Sequence, residues 1–186
     1  MIDESCYWKN DLLNQAEALR SRMAQRRWPE VSFARLEQTV MLGFYSIRKL
    51  IEASKLSNST FEQGLPLTTY PWSAECVTRM NSHKLDQLYD FDSPSADQRD
   101  VLFLCHQIVH IFVFMPAFNE DGQLDAILFT SDRHRHQRLY SMTLHQIIQL
   151  FDRVGNDYPN EIRMVFNPDT QDYDVTATMH TDGNWA

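Results

Sequence analysis

The chain of 186 residues is 43% hydrophobic and 12% aromatic, with only 5 Gly and 7 Pro, a composition that excludes disordered, collagen-like and low-complexity proteins. Its length suits one domain with a substantial core better than two large ones. The formal charge of −8 is unevenly placed: residues 1–60 hold 9 Lys or Arg against 7 Asp or Glu, whereas residues 61–186 hold 8 against 18, an acidic balance that disfavours general nucleic-acid binding.

The opening MIDESCYWKND carries acid where a signal peptide carries base, so the expectation is a cytoplasmic protein. Over residues 6–27, Trp8, Leu12, Ala16, Leu19 and Met23 recur every three or four positions and predict an amphipathic helix, with Asp3 or Ser5 as its cap. Residues 26–29, Arg-Arg-Trp-Pro, interrupt it, and Pro29 suits the first position of a second helix. That helix is expected over about 29–56, with Phe33, Leu36, Val40, Phe44, Ile47 and Ile51 on one face. Two long helices joined this tightly form an antiparallel hairpin whose apolar seam needs a third element. Glu37 falls near that seam and reads as a flanking carboxylate paired with an Arg, since no second carboxylate shares its face.

Residues 65–72, LPLTTYPW, read as an edge strand or extended arm closed by Pro71, and residues 83–89 as a short helix. Ser95 followed by Gln98 has the letters of a capping box, which places a helix from there to about His110. On it Val101, Leu104, Cys105, Ile108 and Phe112 share one side, with Arg99, His106 and His110 opposite and Phe103 near them. Residues 111–118 and 124–130 are β-rich and flank NEDGQ, a hairpin turn supplied by Asp121 and Gly122. Residues 138–144 add a strand, 144–154 a helix stopped by Gly155, and IRMVF with YDVTATM a closing hairpin; residues 180–186 are expected to fray.

The expected fold is therefore α+β, a single domain over 1–186. An N-terminal antiparallel helical hairpin (1–60) precedes a mostly antiparallel sheet of about four or five strands with two further helices (61–186). Residues 101–118 reach the length of a membrane span, but His106, Gln107, His110 and Pro116 within them argue for a soluble protein without membrane contact. Cys6, Cys76 and Cys105 are odd in number and form no CxxC pair, which fits a reducing compartment and neither a disulfide framework nor a sulfur-rich zinc site.

Two constellations carry chemistry. His106 and His110 stand at i and i+4, a spacing from which two imidazoles reach one divalent metal; Gln107 occupies the place of a zinc peptidase's Glu, and no third ligand is selected by spacing. Arg133, His134, Arg135, His136 and Arg138 form the basic cluster of the acidic part and suit phosphate or carboxylate; at strand parity Arg133 and Arg135 project to one side and the others to the opposite one. Arg99 and Phe103 are candidates for a partner surface. Arg20, Arg22, Arg26 and Arg27 complement the end of the first helix. Nucleotide-binding loops, GxSxG and CxxC are absent from the letters.

The balance favours a non-catalytic cytoplasmic binding or assembly protein, a homodimer being one form of it, with a protein partner or self-association and no cofactor. The alternatives are a metal-dependent hydrolase built on His106 and His110, or a small-anion-binding domain.

Overall fold

The computed structural model describes residues 2–180. The helical hairpin is formed by α1 (Ser5–Met23) and α2 (Glu30–Glu52), with Pro29 as the N-cap of α2 rather than its first helical residue. The buried stripe of α1 is Lys9, Leu12, Ala16 and Leu19, so a lysine occupies a core position while Trp8 and Met23 flank it half-buried. The stripe of α2 runs Ser32, Leu36, Val40, Gly43, Phe44, Ile47 and Leu50. Phe33 turns out of that stripe to join Trp28 and Phe118, with ring centroids 5.3 Å and 6.3 Å away. Glu37 is exposed, and among the described residues no Arg lies within ion-pair distance of it.

Five strands form one antiparallel sheet: β1 (Leu65–Pro71), β2 (Ser95–Arg99), β3 (Ile111–Phe118), β4 (Leu124–Ser131) and β5 (Arg138–Thr143), in the order β2-β1-β5-β4-β3. Two expectations change here. The first strand is internal, not an edge, because β2 covers its outer side from Leu65↔Arg99 to Thr69↔Ser95. Ser95 and Gln98 consequently lie in a strand and cap nothing; Ser95 Oγ instead lies 2.8 Å from Thr69 Oγ1. Helix α5 (Val101–Val109) begins after Asp100, whose carboxylate accepts from Phe103 N at 2.7 Å. Pro116 sits in β3, an edge strand, where a missing N–H is tolerated. The β3–β4 turn takes Gly122 at φ +70°, the conformation for which the glycine was anticipated.

Helices α5 and α6 (Leu144–Gly155) pack on one face of the sheet beneath the hairpin, α6 being started by a capping box of Thr143 and Gln146. Their shared core includes Leu12, Leu36, Phe44, Leu104, Phe129, Met142 and Phe151, each fully buried side chain contributing roughly 1.5–3 kcal/mol. Gly155 serves packing: a Cβ there would stand 2.6 Å from Leu13 Cδ2 and 3.2 Å from Lys9 O, so glycine permits α1 and α6 to cross closely. The opposite face is covered by residues 72–94, including α4 (Leu85–Leu88), which packs Val77, Leu88 and Tyr89 on Val113 and Leu139.

The closing hairpin forms as β6 (Glu161–Asn167) and β7 (Asp172–Thr178), but as a separate two-stranded ribbon. It is tied to short α3 (Asn58–Glu62), where Ala177 N donates to Asn58 Oδ1 at 2.9 Å. Among the described residues no helix is long and apolar enough to cross a membrane. The fraying expected for residues 181–186 lies outside the described residues.

Candidate functional site

Strand register brings together side chains that the linear sequence separates. Successive residues of β2 alternate across the sheet, so Ser95, Asp97 and Arg99 share one face. Tyr140 of β5 and Ser95 both stand opposite Thr69, placing Arg138 and Tyr140 on that same face. Helix α5 covers the inner part of the face, and Phe103 in its first turn reaches toward the charged part. Arg99 Cζ lies 4.7 Å from the Phe103 ring centroid, within cation–π range. Phe103 meets Tyr140 at 5.5 Å and His134 at 5.8 Å, both edge-on, and Tyr140 stacks on Phe129 at 5.8 Å.

The histidine is fixed from beneath. Gln107, 2% exposed, and Ser131, 3% exposed, form the support. Gln107 Oε1 accepts from Ser131 N at 3.2 Å, which directs the amide nitrogen of Gln107 to donate to His134 Nδ1 at 2.9 Å. Ser131 Oγ lies 3.1 Å from the same ring nitrogen. This network assigns an unprotonated Nδ1 and leaves the proton of the neutral ring on Nε2. Burial, then the charges of Arg133, Arg99 and Arg138, holds His134 below the ordinary histidine pKa. Burial raises Tyr140, opposed by Arg138 and Arg99.

One carboxylate serves the cations: Asp97 Oδ2 accepts from Arg99 Nε at 2.9 Å and stands 3.7 Å from Arg138 Nη1. Arg133 is exposed beside His134. With His134 neutral, Arg99, Arg133 and Arg138 against Asp97 leave two positive charges in excess. Such a patch offers guanidinium forks and a ring N–H to an incoming anion, with Phe103 as an apolar wall.

The structure divides the basic cluster. Residues 131–138 form tight turns in which His134 N and Arg135 N both donate to Ser131 O, and Gln137 N and Arg138 N to His134 O. Side chains therefore rotate as in a helical turn and do not alternate as in a strand. Arg135 faces away from His134, paired with Asp132 at 2.9 Å and lying 4.1 Å over the Phe112 ring, while its carbonyl accepts from Tyr89 Oη at 2.8 Å. His136 Nε2 accepts from Val77 N at 3.0 Å, and its ring rests 5.3 Å from Trp72. Both hold the 72–94 segment in place.

Arg99 and Phe103 do meet, although Arg99 reaches Phe103 from β2 and not along one helix face. His106 and His110 are exposed, the latter as the C-cap of α5. Among the described residues no group of three or more His, Cys, Asp or Glu stands where it could hold a metal ion. Cys105 is buried with its thiol pushed up to about 12 by desolvation, and makes no ligand beside them. Asp97, Gln107, Ser131 and Tyr140 were not anticipated; the alternation of Asp97 and Arg99 two residues apart was the one local sign of a shared face. Comparison with protein-family models, curated proteins and solved structures finds no match to this chain.

Proposed function

We propose that this is a non-catalytic binding protein of the cytoplasm that takes an anionic group, phosphate or carboxylate, on Arg99, Arg133 and Arg138 beside His134. The observation that carries the reading is the patch itself: two strands and a turn contribute three guanidinium groups around a histidine immobilised by buried Gln107 and Ser131, with one carboxylate among them. A site that fixes its cations before the ligand arrives loses less side-chain entropy on binding. Arg99 is held by Asp97 and Phe103 in this way, and His134 presents its Nε2–H at no further ordering cost. The metal-dependent hydrolase reading has only the spacing of His106 and His110 behind it.

The test is thermal unfolding with inorganic phosphate, compared with sodium chloride at equal ionic strength. A millimolar site at tenfold saturation stabilises by about 1.4 kcal/mol, roughly 3–6 °C for a chain of this size. That rise is expected in the wild type and is lost in Arg99→Ala plus Arg138→Ala. Equal shifts in both proteins, or none in the wild type, would remove the reading. Calorimetry with a phosphoserine peptide then separates a group carried by a protein, which binds more tightly than phosphate, from the free ion, which does not.

A further inference from the structure

Tyr89 and Tyr140 are each 1% exposed, yet their hydroxyls meet different surroundings. Tyr89 Oη donates to Arg135 O at 2.8 Å, as a buried tyrosine is expected to do. Among the described residues Tyr140 Oη has no hydrogen-bond partner, and it is not sealed from solvent. The charges that act on it are those of Arg138, Arg99 and Asp97. The two guanidinium groups can only donate, and Asp97 already accepts from Gln98 N at 2.8 Å through Oδ1 and from Arg99 Nε at 2.9 Å through Oδ2. A hydroxyl donor therefore stands at the floor of the basic patch with no acceptor of its own, its ring 5.5 Å from Phe103 and 6.3 Å from His134.

We infer that Tyr140 donates to the anion bound on this patch, and that the anion is a phosphate monoester in its doubly charged form and not a carboxylate, a step that rests on the anion-binding function proposed above and names its ligand class. Charge favours the monoester. The groups acting on Tyr140 or His134 are Arg99, Arg133 and Arg138 against Asp97, three cations to one carboxylate, which leaves two positive charges while the ring is neutral. Nearby Asp132 is paired with Arg135, and Asp100 is turned to Phe103 N at the start of α5. A phosphate monoester brings about two negative charges at neutral pH, a carboxylate only one. Direction favours it too. The donors come from β2 (Arg99), from the 131–138 turn (Arg133 and His134 Nε2) and from β5 (Arg138 and Tyr140 Oη), so they rise from the floor as well as the rim. A carboxylate has two oxygens in one plane and is filled by a single guanidinium fork, whereas three terminal phosphate oxygens lie in no common plane with phosphorus and accept from fork, ring N–H and hydroxyl together. The Phe103 ring, 4.7 Å from Arg99 Cζ, supplies an apolar wall for the ester substituent.

The experiment is NMR titration of the full chain and of Tyr140→Phe at pH 7.5 with methyl phosphate and with acetate, at equal ionic strength. The wild type is expected to bind methyl phosphate at least about tenfold more tightly than acetate. Tyr140→Phe is expected to weaken methyl phosphate by about tenfold, the loss of one hydrogen bond to a charged group, and to leave acetate within about twofold. Without ligand its Tm is expected to stay within about 2 °C of the wild type, because the hydroxyl holds nothing in the fold. Acetate bound as tightly as methyl phosphate, or methyl phosphate bound equally by both proteins, would overturn the inference and leave the anion-binding function standing. A Tyr140→Phe chain several degrees less stable without ligand would also overturn it, since the hydroxyl would then serve the fold. A wild type that binds neither ligand would remove the anion-binding function itself, and this inference with it.

Discussion

Gln107 and His134, one on a helix and one in a turn 27 residues later, share a 2.9 Å hydrogen bond in which the amide donates and the ring nitrogen accepts. The bond exists only while Nδ1 is unprotonated, because Gln107 Oε1 is committed to Ser131 N. His134 is held below its ordinary pKa by burial and by Arg133, Arg99 and Arg138, so the unfolded chain binds this proton more readily than the folded one. The stabilising contribution of the neutral ring is then complete above about pH 6.5 and is lost as pH falls from there toward the folded pKa. Urea midpoints at pH 7.5 and 5.5 are expected to fall more steeply for the wild type than for His134→Asn. An NMR titration placing His134 at or above 6.5 would contradict this. Bound phosphate is expected to raise the titration midpoint, since an anion favours the protonated ring.

Lys9 presents a second buried polar centre. It is 1% exposed, donates to Lys55 O at 2.9 Å and to Asp157 O, and lies against the Tyr158 ring. The Asp157 carboxylate in turn accepts from Ser57 N at 2.8 Å and Ser57 Oγ at 2.6 Å. Burial lowers the Lys9 pKa, opposed by Asp157. Asp157→Ala removes the carboxylate that compensates a buried ammonium and is expected to destabilise by about 3 kcal/mol. Lys9→Met keeps the apolar stem and should lose about 1–2 kcal/mol through its two abandoned carbonyls. Chemical denaturation of both variants at pH 7 orders them, and a larger loss for Lys9→Met would mean that the ammonium, not the carboxylate, organises the centre.

The start of α5 is tested by two substitutions. Asp100→Ala removes the cap on Phe103 N and is expected to lower stability by about 1 kcal/mol. Gln98→Ala, which would matter equally if Ser95 and Gln98 formed a capping box, is expected to stay within about 0.5 kcal/mol because Gln98 is an exposed strand residue. Equal losses would return the helix start to Ser95.

Gly43 lies in α2 where helix propensity alone would favour alanine by about 1 kcal/mol. A Cβ there would overlap the Phe151 ring and approach Gln15 Oε1 to 2.8 Å. Gly43→Ala is therefore expected to lower stability by about 1–3 kcal/mol despite the better propensity, and Phe151→Leu in the same chain to recover part of it. Thermal unfolding of the single and double variants reads both effects; an increase in Tm for Gly43→Ala would show that the rings yield readily.

The elements most legible in the letters were those whose burial follows one period. The stripes of α1 and α2, the β3–β4 hairpin with Gly122, and α6 all follow from local spacing. Strand β2 did not, because SADQR lacks β-branched and aromatic residues, and its pairing with β1 is a tertiary fact. Lys9 escaped because apolar periodicity counts lysine as outside, whereas carbonyls 46 and 148 residues away receive its ammonium. At the candidate site the Arg and His letters of residues 133–138 were visible, but the division between His134 with Arg138 and Arg135 with His136 depends on turn geometry. Gln107 drew notice as a missing acid; its part as a buried strut required the fold.

The contact between Lys9 and Asp157 also orders events in time. During synthesis α1 emerges early, yet the groups that receive and balance its buried ammonium lie at Lys55 and, 148 residues on, at Asp157. Its apolar stripe packs on α6, which emerges almost as late. A nascent chain carrying only the helical hairpin thus holds an open seam with an unanswered charge at one end, and the ribosome gives this fold little head start. Closure of that seam waits for α6, so the buried stripe of α1 finds its cover only after residues 144–157 have followed it.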